Sequence, residues 1–239
     1  MSIPQFEAPQ IEDLQDLLPA YEIIDFIAKG GMGAVYRARQ LSLDREVAIK
    51  ILPREFGENE EFRKSFGAEA RAMAKLNHPN LIGVYDCGEV EGMPYIVMEY
   101  LDGESLAERL SRERPLKILD TFKIIEQSLL ALAAAHERGI IHRDFKAENV
   151  FLVRKPNHKG DFDARLLDFG VAKIVHEDHT QYIETRPGFL VGTPYSMAPE
   201  QIQGGAIDHV GRQVEARLLQ IRGDGGGHLH EYPNYPQPV

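Results

Sequence analysis

The chain concentrates chemically active side chains in one short segment, residues 141–149, with the sequence IHRDFKAEN. Asp144 can accept a proton from an attacking hydroxyl, Lys146 can neutralise phosphate charge, and Asn149 can ligate a metal ion through its amide oxygen. A further carboxylate, Asp168, ends an apolar run in the sequence LLDFG, where it can hold Mg²⁺. Each piece alone is compatible with a simple turn, but together they indicate chemistry on a metal-bound phosphate.

A glycine-rich segment near the N-terminus offers a place for phosphate oxygens. It comprises Ile27, Ala28, Lys29, Gly30, Gly31, Met32, Gly33, Ala34 and Val35. Its glycines let backbone N–H groups approach phosphate oxygens without interference from side chains. The same pattern is also typical of an ordinary tight turn, so the segment alone does not decide between the two interpretations.

Lys50 favours the phosphate interpretation. It ends the apolar sequence VAIK on the next predicted strand, and a lysine buried in an apolar strand is unfavourable unless it is paired. Glu69 lies between Ala68 and Ala70 on the helix predicted after that strand, beside the apolar face. We therefore predict a Lys50–Glu69 ion pair that presents the ammonium to phosphates, in preference to a solvated helix glutamate.

The elements that must position these residues change character along the chain. Residues 21–50 contain apolar, strand-like runs, and apolar spacing predicts a helix over 60–76. A longer apolar helix is predicted over 122–138, with Gly139 where a C-terminal cap would lie. A small strand-rich lobe, a hinge near 99–103 and a helical lobe therefore follow one another, which makes the predicted fold class α+β.

A shorter amphipathic helix is predicted before the first strand. Its apolar positions have helical spacing and are Ile11, Leu14, Leu17 and Leu18. We expect it to pack on the domain that follows, in preference to binding a partner independently. The opposite end of the chain, from Gly204 onward, is rich in glycine, histidine and proline and is expected to be mostly irregular.

Composition limits the classes of function. The 239 residues are 43% hydrophobic and 27% charged, as in a soluble globular protein, and the net charge of -10 disfavours nucleic acids and membrane surfaces as partners. Cys87 is the only cysteine, which indicates a reducing compartment. The N-terminal sequence does not resemble a signal peptide and no apolar run could span a bilayer, so a cytoplasmic location is expected.

These motifs together resemble the protein-kinase signature set. The glycine loop, VAIK, HRD with a downstream asparagine, DFG and the Ala198-Pro199-Glu200 motif occur in kinase order over about residues 21–200. GGMGAVY, LNHPNL, VMEYLDG and GTPYSMAPEQ are more closely similar to bacterial serine/threonine kinases of the eukaryotic-like type. The resemblance implies an ATP- and Mg²⁺-dependent enzyme that phosphorylates proteins, and a bilobal fold with a small β-rich N-lobe and a helical C-lobe.

The resemblance also implies a division of the chain. The expected parts are an N-terminal lead-in at 1–20, a kinase domain at 21–209 and an irregular, non-homologous tail at 210–239. Within the kinase domain we expect the N-lobe at 21–98, the hinge at 99–103 and a partial C-lobe at 104–209. After about His209 the sequence resembles nothing in the family, so the C-lobe is expected to lack its later helices and to leave apolar residues facing water.

Roles follow from the resemblance for individual residues. Lys50 would contact the α- and β-phosphates and pair with Glu69, the glycine loop would cover the nucleotide, and Asp144 would position or deprotonate the substrate hydroxyl. Asp168 and Asn149 would hold Mg²⁺. The adenine would meet Met98 at the back of its pocket and backbone groups of two further residues, Glu99 and Leu101.

The substrate class and the regulation follow in the same way. Lys146, two residues after the catalytic aspartate, and Thr193 in GTPYSMAPE are similar to serine/threonine kinases. Arg143 precedes Asp144, as in kinases controlled by activation-loop phosphorylation. Phosphate on Thr180 or Thr185 would pair with Arg143 and order the loop. Incidental threonines in a flexible loop are the alternative.

Two positions depart from the family pattern, and three rival functions stay open. Ala28 replaces the first glycine of the loop, and Ala147 stands where proline is usual. The alternatives are a catalytically impaired nucleotide-binding remnant or scaffold, a kinase of small molecules, and a fragment without independent function. Self-association through the N-lobe is a further expectation, because many relatives associate in that way.

Overall fold

The computed structural model describes residues 6–30, 33–142, 144–156 and 160–167. The first elements along the chain are α1 (Ile11–Leu17), β1 (Tyr21–Gly30), β2 (Gly33–Gln40), β3 (Arg45–Ile51), α2 (Arg54–Gly57), α3 (Glu60–Met73), β4 (Val84–Val90) and β5 (Met93–Glu99). They are followed by β6 (Gly103–Ser105), α4 (Leu106–Arg112), α5 (Ile118–His136), a 3₁₀ helix (Ala147–Asn149), β7 (Val150–Arg154) and β8 (Phe162–Leu166).

The five strands of the N-lobe form one antiparallel sheet in the order β1-β2-β3-β5-β4. Register places Lys50 of the central strand β3 between Val35 of β2 and Ile96 of β5. Gly33 begins β2 with a φ of 127°, and a Cβ added there would overlap the backbone carbonyl oxygen of Ile51. Glycine is therefore required where the glycine-rich segment enters the sheet.

One face of this sheet is covered by an apolar cluster that includes the lead-in helix. Its buried members are Leu14, Leu18, Tyr21, Ile23, Ala34, Tyr36, Ala38, Val47, Ile49, Ile51, Met93 and Val97. The side-chain amide of Gln15 donates to the Tyr21 carbonyl and accepts from the Ile23 N–H, both at 2.9 Å. Helix α1 thus packs on the domain that follows it.

The opposite face of the sheet packs against α3. The sequence predicted this helix over 60–76, and it spans Glu60–Met73, with turn residues after it. The side-chain oxygen of Asn59 accepts from the Phe62 N–H at 3.0 Å and so satisfies one free donor of the first turn. Its predicted apolar face is buried, through Phe62, Phe66, Ala70 and Met73.

The second lobe is built on α5, which packs against β8. It begins at Ile118, four residues before the predicted start, and Gly139 follows it with a φ of 73°. The Gln127 side chain accepts from the Ala164 N–H at 2.6 Å and donates to Asp163 at 3.0 Å. Among the residues that the structure describes, no helix is long and apolar enough to cross a membrane.

Candidate active site

The loop before the 3₁₀ helix brings three predicted catalytic and metal-binding residues together. The Asp144 Oδ2 lies 2.8 Å from the Lys146 Nζ and accepts from the Asn149 Nδ2 at 3.0 Å. The same Nδ2 also donates to the backbone carbonyl of Asp144 at 2.8 Å. The 3₁₀ turn places Asn149 five residues after Asp144 yet in contact with it, so one carboxylate, one ammonium and one amide share a site.

His142 anchors this loop to the end of β8. The side chain is only 1% exposed, and its Nε2 lies 2.9 Å from the Leu167 carbonyl oxygen. A carbonyl can only accept, so Nε2 carries the proton, which leaves Nδ1 to accept from the Asp144 N–H at 3.3 Å. His142 was not among the predicted site residues, although it belongs to the HRD motif.

Both backbone polar groups of Leu167 are held by the same loop. Its carbonyl accepts from His142, and its N–H donates to the Asn149 carbonyl at 2.9 Å. Leu167 directly precedes Asp168, the predicted Mg²⁺ ligand, which lies outside the described residues. The chain that leads into Asp168 is therefore fixed to the loop that carries Asp144 and Asn149.

Asn80 ties the N-lobe to the same strand. It is 6% exposed, and its Nδ2 donates to the Ala164 carbonyl at 2.8 Å. Its backbone carbonyl accepts from the Leu166 N–H at 2.9 Å, and the Ile82 N–H donates to Leu166 at 3.1 Å. The connection between α3 and β4 thus joins the helix of Glu69 to the strand before Asp168. No role was predicted for Asn80, although it lies in the segment LNHPNL, which was the available signal.

Lys50 lies on the central strand of the N-lobe sheet, where 7% of the residue is exposed. Glu69 lies half-buried on α3, which packs against β4. The strand therefore buries an ammonium group in an apolar sheet, as the sequence indicated. The ion pair between these two side chains stays a prediction.

Apolar side chains pack together where the adenine is expected. Met98 is 8% exposed and belongs to the same buried cluster as Ala48 and Leu152, with Val35 and Leu101 packed against it. The sequence prediction did not include Ala48 or Leu152. Ala48 lies within VAIK, and Leu152 belongs to the apolar alternation of β7, which was the available signal.

Two groups of Glu99, at the predicted hinge, are engaged in contacts within the protein. Its N–H donates to the Gly83 carbonyl at 2.8 Å, and its carboxylate forms an ion pair with Arg165. The Glu99 N–H is therefore engaged within the protein, and of the two Glu99 backbone groups the carbonyl is the one that could meet the base. The ion pair spans the two lobes, since Glu99 ends β5 and Arg165 lies on β8.

The glycine-rich segment forms the β1–β2 hairpin. Its strand residues pair as Ala28 with Val35, Lys29 with Ala34, and Gly30 with Gly33. Ala34 is buried in the apolar cluster with α1, so only its backbone is available to a ligand. Ile27 is 47% exposed on the other strand.

The side chain of Asn149 can offer an oxygen ligand to a hard cation. Nδ2 of Asn149 is directed at Asp144, which leaves the amide oxygen as the metal-binding atom, and oxygen ligands are those that Mg²⁺ prefers. Within the described ranges, no group of three or more histidine, cysteine or acidic residues could hold a metal. The other predicted residues lie outside those ranges and are Gly31, Met32, Arg143, Asp168, Thr180, Thr185 and Thr193.

Comparison with known proteins identifies the family. The protein kinase domain model matches residues 21–214. Serine/threonine-protein kinase pkn3 of Myxococcus xanthus is 45% identical over 190 residues, or 79% of this chain and 34% of that protein. Serine/threonine-protein kinase PrkC of Bacillus subtilis is 37% identical over 185 residues, or 77% of this chain and 27% of that protein. This chain thus spans about a third or less of the length of these relatives.

Solved structures agree with this result. The PknI kinase domain of Mycobacterium tuberculosis superimposes with a TM-score of 0.62 and 28% sequence identity, over 80% of this chain and 68% of that domain. A protein kinase fold therefore accounts for the β-rich first lobe, the helical second lobe and the loop that carries Asp144. The chain belongs to the protein kinase family, and its relatives include bacterial serine/threonine-protein kinases.

Proposed function

We propose that this chain transfers the γ-phosphoryl group of ATP, in the presence of Mg²⁺, to serine and threonine hydroxyls of proteins. The observation that carries the proposal is the contact of Asp144 with both Lys146 and Asn149. A carboxylate at hydrogen-bond distance from an ammonium can orient a hydroxyl beside a positive charge. Positioning and charge neutralisation supply most of the catalysis in phosphoryl transfer.

Each residue then has a defined task. Asp144 would accept the hydrogen bond of the attacking hydroxyl, and Lys146, 2.8 Å from that carboxylate, would stabilise negative charge on the transferred group. Lys50 would reach the α- and β-phosphates from β3, with Glu69 as its partner. Mg²⁺, when bound, neutralises phosphate charge, and Asn149 and Asp168 are the residues that would hold it.

The nucleotide base would occupy the apolar surface beside the hinge. Met98 would lie at its back, within the buried cluster that also contains Ala48 and Leu152. The Glu99 carbonyl would accept from the base, since its N–H already donates to Gly83. Leu101 would provide the second backbone contact.

Two observations support serine/threonine specificity. Lys146 contacts the catalytic carboxylate, and the relatives pkn3 and PrkC are named serine/threonine-protein kinases. The test is transfer of labelled phosphate from Mg-ATP to a generic basic protein, followed by acid hydrolysis. We expect label on phosphoserine and phosphothreonine, and none with the Lys50→Met variant. Label on phosphotyrosine, or on a small alcohol only, would overturn the proposal.

Regulation by phosphate on the segment after Asp168 is part of the proposal. Phosphate on Thr180 or Thr185 would pair with Arg143. Mass spectrometry of an active preparation should find phosphate at one of these threonines. An active preparation without it would remove this part and leave the catalytic assignment intact.

A further inference from the structure

A cleft on the N-lobe lies between the lead-in segment, α2 and the turn that joins β4 to β5. Its volume of about 530 Å³ falls in the range of ligand-binding pockets. Its apolar lining consists of Phe6, Pro9, Leu17 and Met93. Among the described residues, none that lines this N-lobe cleft belongs to the predicted nucleotide site.

The rim of the N-lobe cleft is acidic. Its carboxylates are Glu7, Asp13, Asp16, Glu55 and Glu91, and all five residues are exposed. Arg54 is the basic residue in the described lining, and its guanidinium lies 3.2 Å from Glu91. An occupant that complements this cleft must carry apolar side chains with positive charge beside them.

Such a surface exists on the same chain, at the start of α5. Ile118, Leu119 and Phe122 are 74%, 82% and 58% exposed. Lys117, at the N-cap of the helix, is exposed next to them, and Arg114 is exposed three residues earlier. We call Lys117, Ile118, Leu119 and Phe122 the α5 patch. Three large apolar groups exposed together are typical of an interaction surface.

We propose that the α5 patch of one copy docks in the N-lobe cleft of a second copy. The apolar side chains of the patch would cover the apolar floor, and Lys117 would meet the acidic rim. The two surfaces lie on different lobes, so the contact is heterologous and repeats head to tail. It therefore differs from a symmetric association through two N-lobes, which would close at a dimer.

The first test is sedimentation velocity of the full 239-residue chain over a range of concentrations. We expect growth beyond a dimer with concentration, and weaker association as salt rises from about 50 mM to about 500 mM, because screening reduces the attraction between exposed charges. A monomer at every concentration, or a dimer that does not grow, would overturn the proposal.

Charge reversal tests each surface separately. Asp16→Lys on the rim and Lys117→Glu on the patch should each weaken association by about fivefold or more, since each turns an attraction into a repulsion. Glu12→Lys is the matched control, because Glu12 is an exposed acid on the same helix outside the described cleft lining. A control as damaging as Asp16→Lys would contradict a specific contact.

Complementation gives the sharpest outcome. The double variant with Asp16→Lys and Lys117→Glu in one chain should associate again, because its reversed patch matches the reversed rim of the next copy. Leu119→Ser probes the apolar part without a charge change and should also weaken association. Circular dichroism checks that each variant is folded. Failure of the folded double variant to associate would overturn the pairing.

Discussion

Two buried regions of the molecule are held together by different groups. The first is the sheet face covered by α1. The second, which we call the seam, is where the catalytic loop and the connection between α3 and β4 meet β8. The sheet face is an apolar cluster, whereas the seam contains His142, Asn149 and Asn80, at 1%, 7% and 6% exposure. Apolar contacts are non-directional, whereas hydrogen bonds fix relative positions and become unfavourable when one partner is lost. The sheet face should therefore determine stability, and the seam should determine the geometry of the site.

Leu14→Ala should have the largest effect on stability and little effect on the site. Leu14 is fully buried between α1 and the sheet, so its truncation should lower the free energy of unfolding by about 2–5 kcal/mol. Denaturant unfolding measures this loss, and calorimetry should find Mg-ATP affinity unchanged within about twofold. A comparable loss of Mg-ATP affinity would show that the sheet face also determines the geometry of the site.

His142→Phe should have the opposite profile. An aromatic ring beside Phe145 is retained, but the hydrogen bonds to Leu167 and Asp144 are lost. We expect Mg²⁺ affinity in the nucleotide complex to fall by about 10–100-fold, as when partners of metal ligands are removed. His136→Phe, at the end of α5, is the matched control. Equal Mg²⁺ affinity in the two variants would show that the seam does not position the metal site.

Asn80→Ala should lie between these two cases. The Ala164 carbonyl would lose its buried donor, so the free energy of unfolding should fall by about 1–3 kcal/mol. Because Asn80 joins the N-lobe to β8, Mg-ATP affinity should fall as well. The exposed Asn77, in the same connection, supplies the control Asn77→Ala. Unchanged stability for Asn80→Ala would mean that water replaces the amide.

Acid should have the smallest effect on the free energy of unfolding. This effect should arise from a carboxyl at the surface of the second lobe. Hydrogen bonding from Lys123 lowers the pKa of Asp161 from 3.8 to about 2. A carboxyl whose pKa is depressed in the folded state adds stability above its unfolded pKa, and this is lost as pH falls from about 4 to about 2. Asp161→Asn should flatten the decline of stability in this window. An unchanged slope would assign the acid sensitivity to other carboxyls.

The two regions also differ in how far the sequence predicted them. Asp144, Lys146 and Asn149 were predicted because Asn149 follows Asp144 by only five positions, so local spacing carries the information. The anchoring roles of His142 and Asn80 depend on contacts with residues 25 and 84 positions away, which no local pattern encodes.

Element types were predicted better than their bounds. The sequence predicts the start of α5 at Phe122, whereas the helix begins at Ile118; its first turn is exposed at Ile118 and Leu119 and contributes nothing to the buried face of the helix. Helix α2 has four residues, too few for an apolar period, and was not predicted. The apolar spacing of α3 was sufficient, because its buried face repeats over the whole helix.

The central claim is tested most directly by Asp144→Asn, with Mg-ATP binding and phosphoryl transfer measured side by side. The substitution keeps the shape of the side chain and removes its charge. The wild-type chain should bind Mg-ATP and phosphorylate protein, and the variant should still bind while transfer falls by about 10²–10⁴-fold. A folded wild-type chain that binds Mg-ATP without transfer, or a variant that transfers phosphate at the wild-type rate, would contradict the account.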